Sequence, residues 1–293
     1  LFERVTLLIV IALFAALPAS AETPRVAVSI KPVHSLIAGV MEGVGVPYLI
    51  VKGGDSPHTY ALKPSDSRQL GQAQLVFWIG PAMEAFLTKP LQALAENARI
   101  IELAADIPIN VTASGHEHEA EEPDLHLWLD PGKARAMVAV AVAALSAADP
   151  PNIFHYRANG LRVSQRLDNL DAEMRLKLDK LTNIPFIVFH NAYSHLAAAY
   201  ELNVAGVVAF NPEVNPGPRK LAELRHRISR LGVRCIFREP QFDSRLTATL
   251  AEGSAVRIGV LDPLGSDMEA GPDLYFKMMS ANAESLSECL GPP

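Results

Sequence analysis

Apolar and β-branched residues recur along the chain in short runs of four to six, separated by longer stretches whose apolar positions return every three or four residues. The first spacing suits buried strands and the second suits helices, and their alternation predicts an α/β fold of βα units around largely parallel sheets. Strands are expected at 26–30, 48–51, 75–79 and 100–103 in the first half, and at 186–189, 205–209, 235–238 and 256–261 in the second. An Ala-rich helix is expected over 134–148, interrupted by Asp149-Pro150-Pro151 because proline lacks the amide proton a helix needs. A second helical stretch, rich in Arg, Asp, Glu, Lys and Leu, follows over 152–181. At about 1.5 Å per residue it would reach roughly 45 Å, longer than one small lobe needs, and it reads as a backbone joining two lobes. The alternatives are a long surface helix of a single domain, or two helices broken near Gly160.

The 293 residues, 49% of them hydrophobic, are enough for two modest domains with full cores. The expected division is a leader over 1–21, a first lobe over 22–151, a linking helix over 152–182 and a second lobe over 183–293. The leader combines an apolar run at 5–17 with Pro18-Ala19-Ser20-Ala21, a small-residue pattern suited to signal-peptidase cleavage. That run is shorter than the roughly 20 residues of a membrane span, so export is expected rather than anchoring. No cysteine stands directly after the cleavage pattern, so no lipid anchor is expected, and the mature protein should be a freely diffusing monomer. With a formal net charge of −6 and no Lys/Arg block, nucleic acid is excluded as the expected partner.

Two cysteines are present, Cys235 and Cys289. An even number in an exported chain points to one disulfide, with two buried free thiols as the alternative. Residues 114–124 are polar and acidic, without apolar periodicity. They form an expected loop in which His116 and His118 alternate with carboxylates and could hold a divalent cation weakly.

Nine histidines make position the deciding criterion. His190 ends the run Phe186-Ile187-Val188-Phe189, which puts it at the carboxyl end of a buried strand. Glu239 closes the run at 235–238 and Asp262 follows the run at 256–261 in the same way. Open α/β sheets bind ligands at that edge, and several titratable groups on one rim favour a site. In the first half, His58 sits in the turn-rich Gly53-Gly54-Asp55-Ser56-Pro57-His58-Thr59-Tyr60. Alternation in Asp124-Leu125-His126-Leu127-Trp128-Leu129 would turn His126 and Trp128 to one face. A helix-start or packing role is expected for His34, and solvated helix positions for His155 and His226. On a helix, His195 would point away from His190.

Four segments appear in order: Gly54-Asp55-Ser56-Pro57-His58, Asp124-Leu125-His126-Leu127-Trp128-Leu129, Phe189-His190-Asn191-Ala192-Tyr193 and Leu261-Asp262-Pro263-Leu264-Gly265. Together they resemble the high-affinity zinc-binding periplasmic proteins of ABC importers, within the metal-binding solute receptors that have a rigid interdomain helix. The resemblance covers nearly all of the chain after the leader. It implies two similar lobes bridged by a long helix, with a metal site in the cleft between them. The metal would be held by His58, His126 and His190, with Asp262 completing the shell. It also implies a Cys235–Cys289 disulfide. Glu239 is a candidate to support a ligand, as is Asn191, which stands where the family commonly has an acidic residue. The His-rich loop common in the zinc receptors is reduced here to His116 and His118.

Three imidazoles and a carboxylate suit Zn²⁺ in a tetrahedral site, whereas Mn²⁺ favours more oxygen ligands. The expected function is therefore capture of Zn²⁺, as cargo rather than catalytic cofactor, for delivery to the membrane permease of a zinc ABC transporter, with no enzymatic step. Affinity is expected to fall as the histidines protonate near and below pH ~6.5. The alternatives are a manganese receptor of the same family and an exported zinc hydrolase, for which Glu239 is the candidate general base.

Overall fold

The computed structural model describes residues 23–107, 123–209 and 216–292. The leader expected over 1–21 and the loop carrying His116 and His118 lie outside those residues. The first lobe contains β1 (Val26–Val28), α1 (Lys31–Val40), β2 (Tyr48–Leu49), α2 (Pro64–Gln72), β3 (Leu75–Trp78), α3 (Ala85–Leu94), β4 (Arg99–Glu102) and α4 (Leu103–Asp106). A 3-10 turn at Leu127–Leu129 leads into α5 (Pro131–Ala148) and the long α6 (Ile153–Leu178). The second lobe contains β5 (Phe186–His190), α7 (Ser194–Ala199), β6 (Val204–Ala209), α8 (Pro218–Leu231), β7 (Cys235–Arg238), α9 (Arg245–Ala251), β8 (Arg257–Val260) and α10 (Leu274–Leu290). All eight expected strands are present, within two residues at each end.

Both sheets are parallel and share one topology, β2-β1-β3-β4 in the first lobe and β6-β5-β7-β8 in the second. The central runs are apolar without alternation because helices cover both faces. Every residue of β3 and of β5 is buried, for example. In each sheet the chain reverses its direction of travel beside the first strand, which leaves a crevice outside the carboxyl ends of β1/β3 and of β5/β7.

The linking helix is continuous through Gly160, so the break considered there does not occur. Its 26 residues span about 39 Å at ~1.5 Å each. The glycine serves close packing: a Cβ at Gly160 would lie 2.4 Å from Val142 Cγ2 on α5, and one at Gly39 of α1 would lie 2.8 Å from Val163 Cγ2 on α6. α6 therefore lies tightly on α5 and α1 and also packs against α10 of the second lobe. Asn159 donates to the carbonyls of Val40 (2.9 Å) and Glu42 (2.8 Å), satisfying groups that the end of α1 leaves open. Arg162 pairs with Glu42, while Arg166 pairs with Asp273 and Lys177 with Glu284 at α10, so one helix is tied to both lobes.

A single apolar core runs from β1 in the first lobe through α6 to α10 in the second, and a smaller cluster lies under α8 and α9. The Cys235–Cys289 disulfide joins β7 to α10, with Cα atoms 6.1 Å apart. Among the described residues no helix is long and apolar enough to cross a membrane.

Candidate metal centre

His190 is the last residue of β5 and is 4% exposed. Neighbouring β7 pairs with β5 in a register that sets Phe186 against Cys235 and Val188 against Phe237, and continuing it brings Glu239 beside His190. Glu239 Oε1 accepts from His190 Nδ1 at 2.7 Å and from the His190 amide at 3.3 Å. Its other oxygen is buried without a partner. The pair stands at the switch point of the second sheet, where the crevice forms.

His126 precedes the 3-10 turn that starts α5, and its ring is fixed by Asp124. Asp124 Oδ1 accepts from His126 Nδ1 at 2.7 Å and from its amide at 2.9 Å, while Oδ2 accepts from the Ser194 amide at 2.9 Å. His195 Nε2 lies 2.8 Å from the Asp124 carbonyl. The segment that carries His126 is thus clamped to the turn that follows His190. Burial would raise the Asp124 carboxyl, but the charge and hydrogen bonds of His126 outweigh it and hold the group at about 2.

His58 comes from the loop between β2 and α2. Buried Asp66 pins that loop by accepting from Tyr48 (2.7 Å), Tyr60 (2.8 Å) and the Lys63 amide (3.0 Å). His58 Nε2 is buried with no hydrogen-bond partner. Burial, reinforced by His126 and His190, pushes its pKa down to about 3. Burial also lowers that of His126 against the opposing pull of Asp124.

The three histidines each bring a ligand nitrogen within 4.8 Å of the others. The Nε2 atoms of His126 and His190 are 3.2 Å apart, close to the roughly 3.3 Å expected between two nitrogens on one tetrahedral Zn²⁺ at ~2.05 Å bonds. With each Nδ1 donating to a carboxylate, both Nε2 atoms present lone pairs to the same point, an arrangement that a cation satisfies. The cavity they line has a volume of about 10 Å³, and Ser56, Pro57, Gln241, Phe242, Pro263 and Leu264 complete its walls. That volume is on the scale of a single ion or water.

The family model for the periplasmic zinc-uptake complex component A matches residues 26–289. The high-affinity zinc uptake system protein ZnuA of Brucella abortus is 35% identical over 92% of this chain and 92% of its own. The chain belongs to this zinc-uptake family. The Yersinia pestis member is 32% identical, covering 95% of each chain. Solved structures share the fold: a crystal structure of ZnuA with a TM-score of 0.80 at 24% identity, and the periplasmic zinc-binding protein TroA from Treponema pallidum with 0.81 at 22%. Each covers 92% of this chain and 100% of its own.

Within this family framework the other expected site residues take different places. Asp262 is not in the group of groups converging within 4.8 Å. Its Oδ1 accepts from Gln241 Nε2 (2.7 Å) and the amides of Leu264 (2.9 Å) and Gly265 (3.0 Å), and its Oδ2 accepts from the Ser266 amide at 2.6 Å. The carboxylate organises its own turn, so its oxygens are already engaged. Asn191 accepts from Ser194 Oγ at 3.3 Å, and Glu239 holds the His190 Nδ1 instead, because the adjacent strand brings it to that side of the ring. Trp128 is fully buried and donates to the Pro263 carbonyl at 2.7 Å. His34 is buried 3.0 Å from the Pro47 carbonyl, and His155 and His226 are exposed.

Asp124, which supports His126, is not among the residues expected from the sequence. Its signal was local: a carboxylate two residues before a histidine, within reach of both the ring and the amide.

Proposed function

We propose that this chain is the periplasmic receptor that captures Zn²⁺ through His58, His126 and His190 and delivers it to the permease of a zinc ABC importer. The observation that carries this reading is the ion-sized cavity on which three imidazoles converge, two of them buried and oriented by buried carboxylates. All three contribute nitrogen, a donor set that favours zinc over the more oxygen-seeking manganese. Asp262 would join the shell by giving up the hydrogen bonds that shape its turn. The segment over 1–21 would act as the export leader, and the mature protein acts as a monomer. We read the chain as a carrier with no chemical step of its own, in keeping with the zinc-uptake family it matches.

The test is competitive titration of metal-stripped protein with Zn²⁺ and Mn²⁺. One tight zinc equivalent that outcompetes manganese and weakens at least a hundredfold in His58→Ala and His190→Ala is expected. Binding unchanged in both variants would move the site elsewhere, and preference for manganese would overturn the cargo. Asp262→Ala is expected to weaken zinc less than His190→Ala does. An equal loss would put that carboxylate on the metal.

A further inference from the structure

The space between the three histidines is narrow, about 10 Å³, so the position of each wall governs how easily an ion passes. One wall is Pro263 and Leu264, at the tip of the turn that follows β8 in the second lobe. The amides of that turn point inward: those of Leu264, Gly265 and Ser266 all donate to Asp262. Its carbonyls point outward to the first lobe. There Lys31, the first residue of α1, reaches across with Nζ to the carbonyls of Gly265 (3.1 Å), Ser266 (2.6 Å) and Met268 (3.1 Å). Three acceptors use all three ammonium protons. Trp128 adds a second tie from the first half of the chain through the Pro263 carbonyl.

Lys31 is poorly placed for any other purpose. It is 6% exposed, and it stands in the first turn of a helix, where the dipole disfavours a cation. Burial lowers its pKa against the opposing charges of Asp262 and Asp267. A buried ammonium is sustained by hydrogen bonds to its charged form, and here the partners that supply them belong to the wall of the metal cavity. The turn is therefore held between an anion on its amide side and a cation on its carbonyl side. Release of the cation side frees it from the opposite lobe.

We infer that Lys31 is a positioning residue for metal exchange: it holds the 262–268 turn against the first lobe, so its ammonium–carbonyl contacts set how fast Zn²⁺ enters and leaves. The metal part of this inference rests on the proposed receptor function, while the holding of the turn does not. Three charge-assisted hydrogen bonds oppose opening, and their loss is expected to raise the opening rate at least tenfold. Because opening precedes both entry and exit, association and dissociation should accelerate together, and Kd should change less than either rate.

The experiment compares wild type, Lys31→Met and Lys31→Gln. The glutamine keeps part of the hydrogen bonding, serves if the methionine variant does not fold, and should fall between the other two. Stopped-flow mixing with Zn²⁺ and chase with excess chelator give the two rate constants. Hydrogen exchange at the Leu264, Gly265 and Ser266 amides, on metal-free protein, reads opening of the turn without any metal. Faster exchange at those amides, with both zinc rates raised tenfold or more, is the expected result. Unchanged exchange overturns the inference, as does a faster dissociation with an unchanged association rate, which would mean that Lys31 stabilises coordination alone. Failure of wild type to bind Zn²⁺ would remove the receptor reading, and the exchange measurement would still decide whether Lys31 holds the turn.

Discussion

Replacing Asp124 with Asn tests how the two halves of the site depend on each other. The wild-type carboxylate accepts from the His126 ring and amide on one oxygen and from the Ser194 amide on the other. An amide of the same shape can satisfy His126 with its oxygen, but its NH₂ group then faces the Ser194 N–H, donor against donor. The carboxyl is held at about 2 against an ordinary 3.8. At roughly 1.4 kcal/mol per unit of pKa, that corresponds to stabilisation on the order of 2 kcal/mol at neutral pH. Because the folded-state value is the lower one, this contribution is fully present above pH 3.8 and is lost as pH falls through about 2. Denaturant unfolding of metal-free wild type and Asp124→Asn should therefore show a gap that is constant from pH 7 to 5 and narrows by pH 3. Zinc affinity should drop roughly ten- to a hundredfold, the usual cost of removing the charged partner of a liganding histidine. A gap of the same size at pH 3 and pH 7 would refute the role given to the ionised carboxylate, and wild-type zinc affinity would refute its role in orienting His126.

Proton release on zinc binding, measured calorimetrically in buffers of different ionisation enthalpy, should stay below three protons per zinc between pH 7 and 5. His58 at about 3 is already neutral there, so its nitrogen needs no deprotonation to take the ion; release of three protons would contradict the burial argument. Cys289→Ser should cost on the order of 4 kcal/mol, from a bridge spanning 54 residues, read as a lower denaturation midpoint matched by reduced wild type. Gly160→Ala should destabilise by about 1 kcal/mol, since a Cβ 2.4 Å from Val142 Cγ2 costs more than the ~1 kcal/mol gained in helix propensity; a more stable variant would show that α5 and α6 can part freely.

The eight strands and the linking helix were legible because their signals are local: short apolar runs mark strands buried on both faces, and 3.6-residue spacing marks helices. Three of the expected ligand residues stand together in the fold, and the strand-end position of His190 was itself a usable clue. Glu239 could be suspected from the same strand-end pattern, but its assignment to His190 depended on the register between β5 and β7, which no local spacing states. The assignment of Asn191 to the same ring did not follow, for adjacency in sequence does not place a side chain beside its neighbour's Nδ1.

The sequence by itself determined the element types, the parallel α/β class and the extent of the helix between the lobes, each of which depends on residue chemistry and spacing within one segment. The set of three histidines came from four segments taken together in their resemblance to a family, since no single local pattern marks a ligand. Tertiary structure alone decided that Asp262 spends its oxygens on its own turn, that Asp124 ties His126 to the turn after His190, and that Lys31 reaches the Gly265 carbonyl from 234 residues away. Those outcomes belong to competition among long-range partners for buried donors and acceptors. That competition is settled by which groups the packed lobes bring within hydrogen-bonding distance, a quantity that local periodicity does not contain.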